Sequence, residues 1–269
     1  MFEFVSSLSA SRTFEYHDED LFILLKSRDV ILFDGKLPER TLLRRSGLPD
    51  EKGILLGFLD GVRCFVLETG QIPVGGMWQV VPGRQFLFEF SEAYQMALCR
   101  ARVLLYWQNQ HRYCGSCRNE LQLSDHDSGL FCPECGNVYY PQLAPAVIVA
   151  VTRNNGKELL LAHNRSFAGE MYSLIAGFVE AGETVEGAIH RELWEECSLR
   201  VKNLQYLSSQ VWPFPNSLML AFQAEYDSGT AEPDGGELSD LGWFTAENHP
   251  LLPSPGSIAR WVIDRIFTQ

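Results

Sequence analysis

The sequence predicts an α+β protein in three parts, and three observations carry that prediction. Residues 1–110 mix short apolar runs with turn signals, which reads as a β-rich domain. Residues 111–141 hold four cysteines in two close pairs, in a stretch too small for a core of its own. Residues 142–269 alternate strand-like runs with helical ones, the pattern of a mixed sheet between helices. At 269 residues the chain has room for about two ordinary domains and a small insert.

Composition excludes several classes. Hydrophobic residues make up 46% and charged residues 21%, a globular balance that rules out disorder, collagen and coiled coil for the whole chain. The longest apolar run of note, Ala144 to Val151, falls far short of the ~20 residues of a spanning helix, so no membrane segment is expected. The opening Met1-Phe2-Glu3-Phe4 is acidic and lacks a signal-peptide pattern, which points to the cytoplasm. A net charge of −12 repels a phosphate backbone and argues against non-specific nucleic-acid binding.

The elements follow in order. Val30 to Phe33 runs into Asp34-Gly35, and Ile54 to Leu59 into Asp60-Gly61 before Val62 to Leu67 resumes an extended pattern. Asp-Gly between apolar runs is a strong hairpin signal. Ser91 is placed to cap a helix through about Gln108, with Ala93, Met96, Ala97, Arg100 and Leu104 at helical spacing. Beyond Pro141, Ala146 to Val151 and Glu158 to Ala162 read as strands around an Asn154-Asn155-Gly156 turn. Met171 to Ala176 reads as extended and Glu186 to Cys197 as helical. Strands are expected at Leu204 to Ser209 and Leu218 to Glu225, and a last helix at Ser257 to Phe267.

Cys114-Gly-Ser-Cys117 and Cys132-Pro-Glu-Cys135 give the spacing C-x2-C-x14-C-x2-C. Each pair can turn tightly and present two thiolates, and the two turns together offer tetrahedral sulfur coordination to one Zn²⁺. Gly115 and Gly136 are expected to relieve crowding at the turns. Four protein ligands close the coordination sphere, so such an ion is structural. A ribbon of this kind can also grip nucleic acid, but Asp125, Asp127 and Glu134 count against that use. Cys64, Cys99 and Cys197 stand apart, and free thiols beside a metal site fit a reducing compartment.

The richest stretch runs from Gly177 through Gly182 and Glu183 to Arg191-Glu192-Leu193-Trp194-Glu195-Glu196. On a helix Glu192, Glu195 and Glu196 stand at i, i+3 and i+4 and share one side. A solvated face can carry such a trio despite a repulsion of about 0.2–0.5 kcal/mol per pair. Hard divalent cations offer another reading, since they bridge carboxylates to substrate phosphates. A Mg²⁺ or Mn²⁺ so held neutralises a diphosphate and acidifies an attacking water.

This stretch resembles the signature of the Nudix hydrolase family, Gly-x5-Glu-x7-Arg-Glu-apolar-x-Glu-Glu-x-Gly-apolar, at Gly177, Glu183, Arg191, Glu192, Leu193, Glu195, Glu196 and Leu199. Ser198 replaces the last glycine, where the chain is expected to turn left-handed at a cost of about 1–2 kcal/mol. Downstream, Ser209-Gln210-Val211-Trp212-Pro213-Phe214-Pro215-Asn216-Ser217 resembles the S-Q-P-W-P-F-P-x-S motif of the family's NADH pyrophosphatases, with Val211 in place of its first proline. The cysteine ribbon and Tyr139-Tyr140-Pro141-Gln142 resemble theirs too, so the likeness covers about residues 111–269. By chemistry alone, Trp212 and Phe214 can stack on a base or pack into a core.

The resemblance implies a Nudix fold and hydrolysis of NADH or NAD at the diphosphate to nicotinamide mononucleotide and AMP. It also implies removal of NAD caps from RNA 5′ ends and a homodimer. By the same resemblance, Ala176 (through its carbonyl), Glu192, Glu196 and Glu237 hold the catalytic metals, and Glu195 is a further metal or base candidate. Tyr140, Phe178, residues 210–217 and Ala259 line the substrate site, while Glu183 and Arg191 pair to orient loop and helix. Asp234-Gly235-Gly236 makes the tract before Glu237 look pliable, which leaves a plain surface acid as its other reading. Cys197 and the six histidines have no evident role.

Two rival functions are weighed against this one. A Nudix hydrolase of ADP-ribose, FAD or dinucleoside polyphosphates would share the acidic helix; the Trp-Pro tract favours NADH. A catalytically silent sensor or RNA-binding regulator would not need the complete glutamates and would not suit a charge of −12.

Overall fold

One of the two Asp-Gly turns closes a hairpin and the other does not. The computed structural model describes residues 3–6, 15–48, 53–73, 75–124, 127–167 and 169–268; Met1, Phe2 and Asp125, used above, lie outside them. The chain divides into two compact units, residues 1–142 and 143–269.

The first unit contains β1 (Phe4–Ser6), β2 (Leu21–Lys26), β3 (Asp29–Phe33), α1 (Arg40–Arg45), β4 (Ile54–Leu59), β5 (Val62–Glu68), β6 (Trp78–Val81), α2 (Gly83–Glu89) and α3 (Glu92–Gln110). Its six-stranded sheet has the order β1-β4-β5-β2-β3-β6. Asp60 and Gly61, both at positive φ, join β4 to β5 in the expected antiparallel hairpin. Asp34-Gly35 also turns at positive φ, but only a single bridge from Phe33 to Lys36 follows. The chain then enters α1, and β3 pairs with β2 and β6 instead. The short helices α1 and α2 were not expected; six or seven residues are too few to show a period. Ser91 sits at the N-cap of α3 as expected, without a side-chain capping bond.

Three two-residue strands follow, β7 (Gln122–Leu123), β8 (Leu130–Phe131) and β9 (Val138–Tyr139), paired antiparallel. Their small core is Leu121, Leu130, Cys114 and Cys132, completed by Trp107 from the end of α3. The cysteine segment thus borrows apolar volume from the helix before it.

The second unit is a mixed sheet covered on both faces. It contains β10 (Ala144–Arg153), β11 (Glu158–Asn164), β12 (Ile175–Phe178), α4 (Val185–Cys197), β13 (Leu199–Trp212), β14 (Ser217–Gly229), β15 (Leu238–Phe244) and α5 (Ile258–Phe267). The strand order is β13-β14-β10-β11-β15, with β12 also paired to β10. Along β10, Val147, Val149 and Val151 pack with Ala188, Ile189 and Leu193 of α4. Ile148 and Ala150 point the other way, to Val262, Ile263 and Ile266 of α5. A strand buried on both faces must be apolar throughout, which explains the unbroken run noted in the sequence. Among the described residues no helix is long and apolar enough to cross a membrane.

Candidate active site and metal centres

Thr184 starts the acidic helix α4: its hydroxyl accepts the Gly187 N–H at 3.1 Å. Ser198 ends it at φ 57°, ψ 31°, the left-handed conformation its place in the signature implied. Between these caps Leu193 and Cys197 are buried in the sheet-side core, so the opposite side carries the carboxylates.

Arg191 braces that side. Its guanidinium donates to both oxygens of Glu183 at 2.9 and 3.0 Å, to Glu192 at 2.9 Å and to Glu195 at 3.1 Å. A further bond at 2.8 Å reaches the carbonyl of Phe178. The Glu183–Arg191 pair expected from the sequence is therefore one part of a larger hub. Bonds from Arg191 hold Glu183 below the usual carboxylate range, and Glu183, followed by Glu192 and Glu195, pushes Arg191 up. A planar fork suits this task better than an ammonium does.

Gly177 is required by contact. A Cβ there would lie 1.9 Å from the Cδ of Glu192, so the Ala176–Gly177 backbone runs directly beside that carboxylate. Ala176 pairs with Ile148 in the sheet, which fixes its height along β10. Phe178, next in β12, is exposed.

Glu196 differs from its neighbours in being buried, 8% exposed against 58% for the side chain of Glu195. Burial first, then the charges of Glu192 and Glu237, push its carboxyl up to about 8. Glu237 is thus electrically part of this cluster, although its own side chain is exposed. The tract before it is tied down rather than loose. Asp234 N–H donates to the Glu196 carbonyl at 3.0 Å, and the Asp234 carboxylate accepts from the N–H groups of Glu237 and Leu238 at 3.0 and 2.8 Å. Glu232 N–H adds a bond of 3.2 Å to the Cys197 carbonyl. Sequence reasoning missed Asp234; the signal was an Asp followed by two glycines, a turn former that hydrogen-bonds its own backbone.

The residues present fit a divalent cation. Glu192 and Glu196 bring two carboxyls together, and one is buried where an unpaired charge is costly. Oxygen donors of this kind suit Mg²⁺ or Mn²⁺.

The tract 210–217 is not a loop throughout. Gln210, Val211 and Trp212 continue β13 and pair with Met219, Leu218 and Ser217 of β14, leaving residues 213–216 as the turn. Pro213 and Pro215 lie within the turn of a long hairpin, where neither interrupts the ladder. Trp212 and Phe214 meet edge to face at 5.3 Å, both half-buried and neither among the buried residues of the two cores. Ala259 is 7% exposed and packs in the α5-side core. Tyr140 belongs to the first unit and is exposed.

The four cysteines also converge in the first unit. Sγ separations of 3.3 Å (Cys117–Cys132), 3.6 Å (Cys114–Cys135) and 3.6 Å (Cys117–Cys135) lie close to the about 3.8 Å edge of a tetrahedron with Zn–S bonds of about 2.3 Å. Among the described residues, this is the one group of three or more such ligands within 4.8 Å of each other. The two turns match. Cys114 N–H bonds the Asn119 carbonyl and Cys132 N–H the Asn137 carbonyl, each at 2.8 Å. The left-handed positions are Arg118 and Gly136, so Gly136 relieves its turn as expected, while the first turn places Arg118, not Gly115, in the left-handed conformation. A hydrogen bond to the Tyr139 hydroxyl, ahead of backbone amides, pulls the Cys114 thiol down to about 5, toward the thiolate that binds zinc.

Comparison with known proteins agrees with this geometry. Residues 142–262 match the NUDIX domain model. The chain is 48% identical over 210 residues to the NAD-capped RNA hydrolase NudC of Chromobacterium violaceum, covering 77% of this chain and 78% of that protein. It is 43% identical over 235 residues to the protein of that name from Pseudomonas aeruginosa, covering 86% and 82%. With the protein so named in Pectobacterium carotovorum it shares 45% over 205 residues, covering 73% and 78%. Glycine against glutamate, a braced acidic helix and relatives of this closeness together place the chain in the Nudix family of hydrolases, among its NudC-like members.

Proposed function

We propose that the chain hydrolyses the diphosphate of NADH or NAD, yielding nicotinamide mononucleotide and AMP, and cleaves the same linkage at NAD-capped RNA 5′ ends. The observation that carries this reading is the α4 carboxylate face, with Glu192 and the buried Glu196 together beside the Ala176–Gly177 backbone. The names of the relatives above support the choice of substrate. Glu192, Glu196, Glu237 and the Ala176 carbonyl would hold Mg²⁺ or Mn²⁺, which supplies positive charge against the diphosphate. Arg191 keeps Glu192 in place, and Glu195, half released to solvent, is the nearest candidate to take a proton from attacking water. Trp212 and Phe214, with Phe178, would offer ring faces to the bases. Cys114, Cys117, Cys132 and Cys135 would hold one structural Zn²⁺. On the resemblance described above, the reading extends to a homodimer working in the cytoplasm.

The test is a turnover panel of NADH, NAD, ADP-ribose, FAD and NAD-capped RNA, with and without Mg²⁺ or Mn²⁺. Metal-dependent release of AMP from NADH or NAD, faster than from ADP-ribose or FAD, is expected. Preference for ADP-ribose or FAD would replace the substrate, and no turnover of any member would reject the enzyme reading.

A further inference from the structure

Gln210 stands in the stretch read as contacting substrate, yet both ends of its amide are spent inside the protein. Its Nε2 donates to the Gly256 carbonyl at 2.9 Å, and its Oε1 accepts the Ile258 N–H at 2.8 Å. Ile258 is the first residue of α5, where the backbone N–H groups lack partners within the helix. Ser257 serves another such group, accepting the Arg260 N–H at 3.3 Å. Gln210 therefore completes the cap of a helix 46–48 residues away. It does so from β13, two residues before Trp212 and opposite Met219 in the ladder. Met219 in turn packs against the core that α5 covers.

We propose that Gln210 is a positioning residue that clamps the Trp212–Phe214 hairpin to the start of α5, rather than a ligand of the substrate. The inference rests on the NAD(H) reading for its kinetic test but not for its structural one. β10 holds β14 down to Ser217, with Ala144 N–H donating to the Asn216 carbonyl at 2.9 Å, but β13, which carries Trp212, is the edge strand of the sheet and takes its outer fixing point from elsewhere. The bidentate amide supplies that fixing point, at the end of β13 nearest the rings. Asparagine would be a methylene short of both partners, and glutamate would keep the acceptor for Ile258 but lose the donor to Gly256.

Three measurements decide it on the full chain. In Gln210→Ala, amide hydrogen exchange at Ile258 should accelerate by at least about tenfold, while Gln210→Glu retains most of the protection. KM for NADH should rise on the order of fivefold to tenfold, with kcat falling less. Combining Gln210→Ala with Trp212→Ala should add little to the KM of Trp212→Ala alone, because the clamp acts through that ring. Unchanged exchange at Ile258 would overturn the clamp. Fully additive KM effects would overturn the positioning role in favour of direct contact with substrate. If the wild-type chain turns over no NADH, the exchange result still judges the clamp, and only the proposed substrate fails.

Discussion

Glu196 shows how one buried carboxyl can be poised for a cation. Its place on α4 follows from i, i+4 spacing with Glu192, while the Asp234 turn, 38 positions on, bonds its backbone carbonyl at the helix end. Replacing it with Gln keeps the shape and removes an anionic ligand. Turnover of NADH should fall by roughly two to four orders of magnitude with little change in KM; a near-normal kcat across a Mg²⁺ and Mn²⁺ titration would remove Glu196 from the chemistry. The same residue sets a pH trend. A carboxyl raised from 4.5 to about 8 on folding binds its proton more tightly in the native state. The chain without Mg²⁺ should therefore lose stability as pH rises through that window. Thermal unfolding of the zinc-loaded chain at pH 5 and pH 9 without added Mg²⁺ should show the loss, smaller in Glu196→Gln and reversed by Mg²⁺. Ser198 gives a residue-scale test of another kind. It holds a left-handed conformation at φ 57° where the family signature has glycine. Ser198→Gly should raise stability by about 1 kcal/mol, read as a higher Tm with unaltered kcat.

At the scale of elements, local patterns were legible and distant contacts were not. The Asp60-Gly61 hairpin, β10 with its double-sided apolar run, and the limits of α4 and α5 could be read within a residue or two, because each depends on neighbours in sequence. The carboxylate face was legible for the same reason. The turn of Asp234 onto Glu196 and the reach of Gln210 to α5 join residues dozens of positions apart, which no periodicity reveals. The tract around Trp212 was not read as a hairpin tip, although the strand that follows it, Leu218 to Glu225, was expected. As a hairpin tip outside both cores, it yields a clear expectation. Trp212→Ala should raise KM for NADH several-fold while lowering Tm by only a few degrees, since the ring is half-buried and belongs to neither core. A large drop in Tm at constant KM would make the ring a core residue after all.

Across the whole molecule, two metal requirements fall on two different units and should be separable. The carboxylate face lies within residues 143–269, where α4 and the sheet are held by two apolar cores that need no ion. The cysteine segment has no such reserve. Its core is four residues and Trp107, and two of the four, Cys114 and Cys132, are among the proposed zinc ligands. With four sulfurs within 4.8 Å, a chain without an ion would crowd thiolates that repel one another or thiols that bond only weakly. Zinc bound there would be folding energy, so the loss of a single cysteine should act on structure before chemistry. Cys132→Ser should abolish bound zinc, lower the unfolding temperature and expose Trp107, seen as a red-shifted tryptophan emission. Glu196→Gln should retain one zinc per chain while losing turnover. Metal analysis of both variants, alongside their unfolding curves, is the check. A chain purified without zinc that unfolds and turns over like the zinc-bound form would show that the four cysteines hold no structural ion.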